Sequence, residues 1–141
     1  MKLRVLIFDD DGEIRQLLWT LSDRRGYEVF TFPDPGLCPL HGADTCPCSV
    51  NEACADVIIS DVKMIDVDGI EFIKGLKEKG CRCQHIALMS GAWTEQDISS
   101  ANQIGVKLFK KPFELKQLIE WFEEIEKSID EDRKLANWFI K

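Results

Sequence analysis

Short apolar runs alternate with stretches of helical periodicity along the 141 residues. The first run, LRVLIF (3–8), is nearly continuous in Leu3, Val5, Leu6, Ile7 and Phe8. That is the pattern of a parallel strand covered on both faces. Ile14, Leu17, Leu18 and Leu21 then recur at helical spacing up to Arg24-Arg25-Gly26, which predicts an amphipathic helix over 12–25. YEVFTF (27–32) and ADVIIS (55–60) read as the second and third strands. GIEFIKGLKEKG (69–80) puts Ile70, Phe72, Ile73 and Leu76 on one helical face and stops at a glycine. HIALMSG (85–91) is a fourth strand, a helix over 95–104 ends at Gly105, VKLF (106–109) is a fifth strand, and ELKQLIEWFEEIEKSI (114–129) is the last helix. Strands alternating with helices imply parallel strands joined by right-handed crossovers, hence an open doubly wound α/β sheet. No repeat is visible. The pattern breaks once, between Pro33 and Cys54, where Pro, Gly and Cys replace helical periodicity.

Length fits one domain with a real core, and 45% apolar with 30% charged residues is the balance of a globular chain. The net charge of −7, with no stretch rich in Lys and Arg, argues against a nucleic-acid partner, because phosphate contacts need a basic face. No apolar run approaches the roughly 20 residues of a membrane span, and the N-terminus lacks a signal-peptide core. A cytoplasmic protein without membrane attachment is expected. Six cysteines in that compartment are expected to serve metal, redox or packing roles rather than a disulfide framework.

The first strand ends in Asp9-Asp10-Asp11. Adjacent carboxylates repel by about 1 kcal/mol at 4 Å in water and by about 4 at an effective dielectric of 20, so a cation should offset them. Mg²⁺ suits, since it takes one or two carboxylates with phosphate oxygens and waters. The plain alternative is a loop that caps the next helix, with Asp11 as N-cap and Glu13 in the first turn. In open α/β sheets ligands bind beyond the carboxyl ends of the strands. Asp9-Asp10, Asp61, Ser90-Gly91 and Lys111 all fall at such ends. A lone Lys-Pro is ordinarily a strand end and a lone Ser a cap. Together they describe a carboxylate nucleophile, a metal site, a hydroxyl donor and a fixed ammonium, which suits phosphoryl transfer.

VLIFDDDGEIRQLL, DVIISDVKMIDVDGIEF, ALMSGA and FKKPF resemble, in order, the four blocks of receiver domains of bacterial response regulators in two-component signalling. The resemblance covers residue 3 to about 127 and implies a CheY-like, flavodoxin-like fold with a five-stranded parallel sheet in the order 2-1-3-4-5. It implies Asp61 as phosphoacceptor, and Mg²⁺ held by Asp10, Asp61 and the backbone carbonyl of Lys63, with Asp9 assisting through water. Ser90 would hydrogen-bond the phosphoryl oxygens and Lys111 would pair with them. The implied partners are a sensor histidine kinase or phosphotransfer protein and a downstream protein, with a homodimer among the open assemblies. The implied protein is a phosphorelay component and not a dedicated enzyme.

Some positions depart from the family pattern. Ile65 stands where the family has proline, although the turn residues Asp68 and Gly69 remain. The aromatic that follows activation should lie three residues before the lysine, and that place is Leu108. Phe109 is one residue off and on a strand points to the other face, so a switch running through Ser90 and either residue is in question. Lys63 adds a second ammonium near the site.

Two rivals stay open. LIFDDDGEI also fits haloacid-dehalogenase-like phosphatases, with Asp9 as nucleophile and Asp11 as acid, but there the second acidic motif follows the lysine. The other rival is a metal- or redox-sensing module built on the receiver fold. The expected organisation is a receiver over 1–127, with the Cys-rich segment 33–54 replacing its second helix, and a helical extension or tail over 128–141 packed back on the body. With about a dozen residues left after the last helix, a stand-alone receiver acting through contacts is expected.

Within LCPLHGADTCPCSVNEAC, Cys38, His41, Cys46, Cys48 and Cys54 lie within 17 residues. Thiolates with an imidazole suit Zn²⁺ or an iron–sulfur cluster, although the spacing is no standard finger pattern. Alternatives are a disulfide within 38–54, a redox pair, or plain packing beside Pro35, Pro39 and Pro47. Cys81, Cys83 and His85 follow the middle helix at a distance the sequence does not fix.

Overall fold

The computed structural model describes residues 2–38, 45–48, 51–64, 67–112 and 114–137. Strands β1 (Arg4–Phe8), β2 (Glu28–Phe32), β3 (Val57–Asp61), β4 (His85–Ser90) and β5 (Lys107–Lys110) form one sheet. All its pairings are parallel, in the order β2-β1-β3-β4-β5. Helices α1 (Gly12–Arg24), α2 (Gly69–Glu78) and α3 (Glu95–Gln103) form three of the four connections between these strands, and α4 (Leu115–Ser128) follows β5. This is the flavodoxin-like order expected from the sequence, and each element lies within two residues of its predicted bounds.

Side chains alternate across the sheet, so each strand feeds two cores. On one face Leu6, Phe8, Ile58, Ile86 and Leu88 pack with Ile70, Ile73 and Leu76 of α2 and Ala101 of α3. On the other, Val5, Ile7, Val57, Ile59, Met89 and Phe109 pack with Leu18 of α1 and Leu118, Trp121, Phe122 and Ile125 of α4. Covering on both faces is why the strands read as continuous apolar runs. Helix starts follow local chemistry: Asp11 accepts from the Glu13 and Ile14 N–H groups, Asp68 from Ile70 and Glu71, and Thr94 with Asp97 closes a reciprocal capping box.

The stretch between β2 and β3 contains one 3₁₀ turn, Pro35–Leu37, and no α-helix among its described residues. Cys38, Cys48, Cys54 and Cys83 are buried in the α2-side core, with Cys46 and Cys81 packed against it. All six cysteines are free thiols. Cys81 and Cys83, from beyond α2, join Cys54 in the same core, because the chain returns past the segment in a way no spacing reveals. His41 lies outside the described residues.

Beyond α4 the chain turns back onto the body. The helix ends at Ser128, and Lys134–Leu135 instead pair in parallel with Glu52–Ala53. Arg133 holds Asp56 through Nε and Nη2 at 2.5 and 2.6 Å, and Arg4 Nη1 donates to the Ala136 carbonyl at 2.8 Å. Backbone pairing and buried ion pairs at the base of the sheet outweigh helix continuation. Trp138, Phe139 and Ile140 lie outside the described residues.

Candidate functional site at the strand ends

Asp9 leaves β1 fully buried. Its N–H bonds the Phe32 carbonyl at 3.2 Å and its Oδ1 accepts from the Asp11 N–H at 2.9 Å, so one carboxylate oxygen is fixed by its own loop. Asp11 is exposed and spends its side chain capping α1. Asp10 is the most accessible of the cluster. Oxygens of Asp9, Asp10 and Asp61 lie within 4.8 Å of one another, and among the described residues this is the one group of three or more potential metal ligands so gathered.

Asp61 ends the central strand β3, opposite Met89. Lys111 follows β5, its N–H bonding the Ser90 carbonyl at 2.8 Å. Its ammonium reaches both buried acids, 3.1 Å from Asp9 Oδ2 and 3.2 Å from Asp61 Oδ1. Burial and the nearby Asp9 charge push the Asp61 carboxyl above the ordinary aspartate range, against the opposing pull of Lys111 and the Lys63 N–H. Burial also opposes the Lys111 ammonium, but Asp9 and Asp61 together outweigh it and hold that group above the ordinary lysine range. The site is an acidic pocket with one cation shared between two carboxylates.

Ser90 is buried at the end of β4, its Oγ accepting from the Ala92 N–H at 3.1 Å. Ser90 pairs with Lys110 in register, so Asp61, Ser90 and Lys111 sit on neighbouring strand ends. Lys63 is exposed and pairs with Asp68 in a short antiparallel bridge. Ile65 lies outside the described residues. Leu108 and Phe109 take opposite faces: Leu108 packs against the α2-side core, while Phe109 is buried on the α4 side with its ring 5.6 Å from Trp121.

Two participants escape a reading by motif. Arg15 Nη1 donates to the Asp9 carbonyl at 2.7 Å; its only signal is its place one turn into α1. Gly69 packs so close under Asp61 that an added Cβ would collide with the Asp61 carbonyl oxygen. Its N–H bonds the Val62 carbonyl at 2.6 Å. The Asp68-Gly69 turn signal marked the position, though not the backbone approach that requires glycine.

The donor set fits a hard divalent cation, since three carboxylates offer oxygen ligands. The thiols are not gathered in the same way: no three of their sulfurs lie within 4.8 Å of one another. No helix among the described residues is long and apolar enough to cross a membrane.

Comparison with known proteins agrees with this geometry. The nisin biosynthesis regulatory protein NisR of Lactococcus lactis subsp. lactis is 34% identical over 120 residues, 84% of this chain and 48% of that protein. The chemotaxis protein CheY of Bacillus subtilis is 26% identical over 121 residues, 85% of this chain and 94% of that one. The chain spans about half the length, or less, of the first curated relatives it matches. The chemotaxis response regulator CheY4 of Vibrio cholerae superposes with a TM-score of 0.64 at 25% identity, over 89% of this chain and 99% of that one. A response regulator receiver protein from Pseudomonas putida reaches 0.73 at 19% identity, over 88% and 98%, a likeness of fold. The family model of the response regulator receiver domain matches residues 5–123, a span that takes in the sheet but for Arg4 and includes the three aspartates, and the chain belongs to that family.

Proposed function

We propose that the chain is a phosphorelay receiver that accepts a phosphoryl group on Asp61 from the phosphohistidine of a sensor kinase or phosphotransfer protein, or from a small acyl phosphate. The observation that supports this most is Lys111, whose ammonium contacts Asp61 and Asp9 at once. In the reaction an Asp61 carboxylate oxygen forms the new O–P bond as the donor's P–N bond breaks, the electron pair leaving on the imidazole nitrogen. Lys111 would follow the negative charge onto the phosphoryl oxygens, and the Ser90 hydroxyl would donate to one of them. Such transfer needs positioning and charge neutralisation more than covalent chemistry from the protein.

Asp9, Asp10 and Asp61 would hold Mg²⁺, with the Lys63 carbonyl as a further oxygen ligand. The ion, when bound, would neutralise charge on the transferred group. The Asp9 contact with Lys111 fixes that side chain between the acids before a donor arrives. Output is read as contact with a downstream protein in the cytoplasm, and the net charge of −7 disfavours direct nucleic-acid binding.

The test is labelling by a phosphohistidine donor or acyl phosphate in Mg²⁺. Asp61→Asn should abolish an acid-stable, hydroxylamine-labile label, and Asp9→Asn should weaken it. Full labelling of Asp61→Asn with loss in Asp9→Asn would establish the phosphatase reading instead. Against that reading, the Asp11 side chain is committed to capping α1 rather than placed as an acid.

A further inference from the structure

Arg15 is tied to both ends of the acidic run that precedes α1. Its N–H bonds the Asp11 carbonyl at 3.0 Å, and its Nη1 donates to the Asp9 carbonyl at 2.7 Å. Asp10 lies between these two anchors. A peptide unit is planar, so the plane that carries the Asp9 carbonyl also carries the Asp10 N–H. The guanidinium therefore fixes the unit from which Asp10 projects. The Asp9 N–H on the Phe32 carbonyl fixes the unit before it, and Asp9 Oδ1 accepts from the Asp11 N–H at 2.9 Å. At this site Lys111 meets carboxylate oxygens, whereas Arg15 meets main chain.

We propose that Arg15 is a positioning residue for the divalent ion. Its hold on the Asp9–Asp10 peptide presents both carboxylates alongside Asp61, and the site binds the ion more tightly for it, although the arginine charge acts the other way. The inference rests on the reading that Asp9, Asp10 and Asp61 hold Mg²⁺.

Two effects of opposite sign meet in this side chain. As a point charge, a guanidinium near the acids repels a divalent ion. Arg15 is only half-buried, and solvent and salt screen that repulsion. As a clamp, it keeps two ligands in place for an ion that demands near-octahedral geometry. Hydrogen bonds that orient metal ligands are worth roughly 10- to 100-fold in affinity, so the clamp outweighs the screened charge. A guanidinium suits the role because its planar fork gives a short, charge-assisted bond of fixed direction to the carbonyl. An ammonium on a flexible stem keeps the charge and loses that geometry. The sign of the effect thus separates positioning from electrostatics.

The test titrates the full chain with Mg²⁺ by calorimetry and follows amide hydrogen exchange by NMR in the metal-free protein. Arg15→Met should weaken Mg²⁺ binding about 10-fold, and Arg15→Lys should weaken it less. Were charge the whole contribution, Arg15→Met would bind the ion more tightly and Arg15→Lys would match the wild type. Without the ion, the Asp11 amide, whose bond to Asp9 Oδ1 reports on the loop, should exchange several-fold faster in Arg15→Met. Amides of β3 and β4 should keep their protection. An affinity in Arg15→Met equal to or above that of the wild type would overturn the proposal, as would an Asp11 amide protected as before. Loss of protection that extends to β3 and β4 would also overturn it, since Arg15 would then serve the fold rather than the loop. Neither measurement depends on labelling: a wild type that binds Mg²⁺ but takes up no phosphoryl group would remove the phosphoacceptor reading alone. A wild type that binds no Mg²⁺ would overturn the ion reading and this proposal together.

Discussion

The Lys111 ammonium stands 3.2 Å from the Asp61 carboxylate, yet Asp61 remains harder to ionise than an ordinary aspartate because burial and Asp9 outweigh that one cation. A folded-state pKa above the unfolded value means that the folded protein binds the Asp61 proton more tightly. Stability therefore falls as pH rises from the unfolded carboxylate pKa, about 3.9, through the raised folded one. Asp61→Asn removes that charge and keeps an acceptor for Lys111. The variant should be more stable than wild type at pH 7, and the gap should close below about pH 4, as followed by thermal melts across pH without divalent cation. A variant less stable at pH 7 would show that the Lys111 pairing dominates.

Gly69 and Gly75 offer a contrast within one helix. A Cβ at Gly69 meets the Asp61 backbone, which has no flexible end to move aside, whereas nothing lies within 4 Å at Gly75. Gly69→Ala should cost about 1–3 kcal/mol in urea unfolding and slow phosphorylation by displacing Asp61. Gly75→Ala should stabilise by about 0.5–1 kcal/mol, since alanine loses less chain entropy in a helix.

The position of the site was legible because parallel strands buried on both faces announce their length as apolar runs, and the acids that end them mark the sheet's carboxyl edge. Period-two alternation likewise placed Leu108 and Phe109 on opposite faces, as found. What no local period encodes is which strand ends become neighbours in detail. Asp9 and Asp10 are adjacent in sequence, but Lys111 pairs with Asp9 and Asp61. The same limit hid the return of Cys81 and Cys83 to the core that holds Cys54, and it left 128–141 as either a helical extension or a tail, where Arg133 and Ala136 find partners near the start of β3.

Those tail contacts are strong enough to measure. Asp56 is 3% exposed at its side chain and accepts from Arg133 and from the Arg4 N–H at 2.8 Å. Arg133→Met should cost about 3 kcal/mol, because it leaves a buried carboxylate without its cation. Lys116→Ala breaks an exposed helical pair with Glu120 at 3.9 Å and should cost under about 0.5 kcal/mol. Equal losses in urea titrations would mean that the tail does not depend on Asp56.

Trp93 connects the site to a spectroscopic signal. It lies three residues beyond Ser90, in the loop before α3, and its indole N–H donates to the Phe109 carbonyl at 3.0 Å. The Phe109 carbonyl is two residues ahead of Lys111, whose N–H bonds Ser90, so loop and strand end are joined at both sides of the indole. A divalent cation drawn to Asp9 and Asp61 competes with the Lys111 ammonium for the same charge, and release of that side chain should shift the end of β5. Trp19 is 38% exposed on α1, while Trp121 meets the Phe109 ring edge-on at 5.6 Å from the opposite face, so the difference between wild type and Trp93→Phe is what isolates the loop indole. Mg²⁺ titration should change the emission of the wild type, change that of Trp93→Phe much less, and require a several-fold higher Mg²⁺ concentration in Asp10→Asn. An identical response in wild type and Trp93→Phe would detach Trp93 from the acidic pocket, whatever the ion does there.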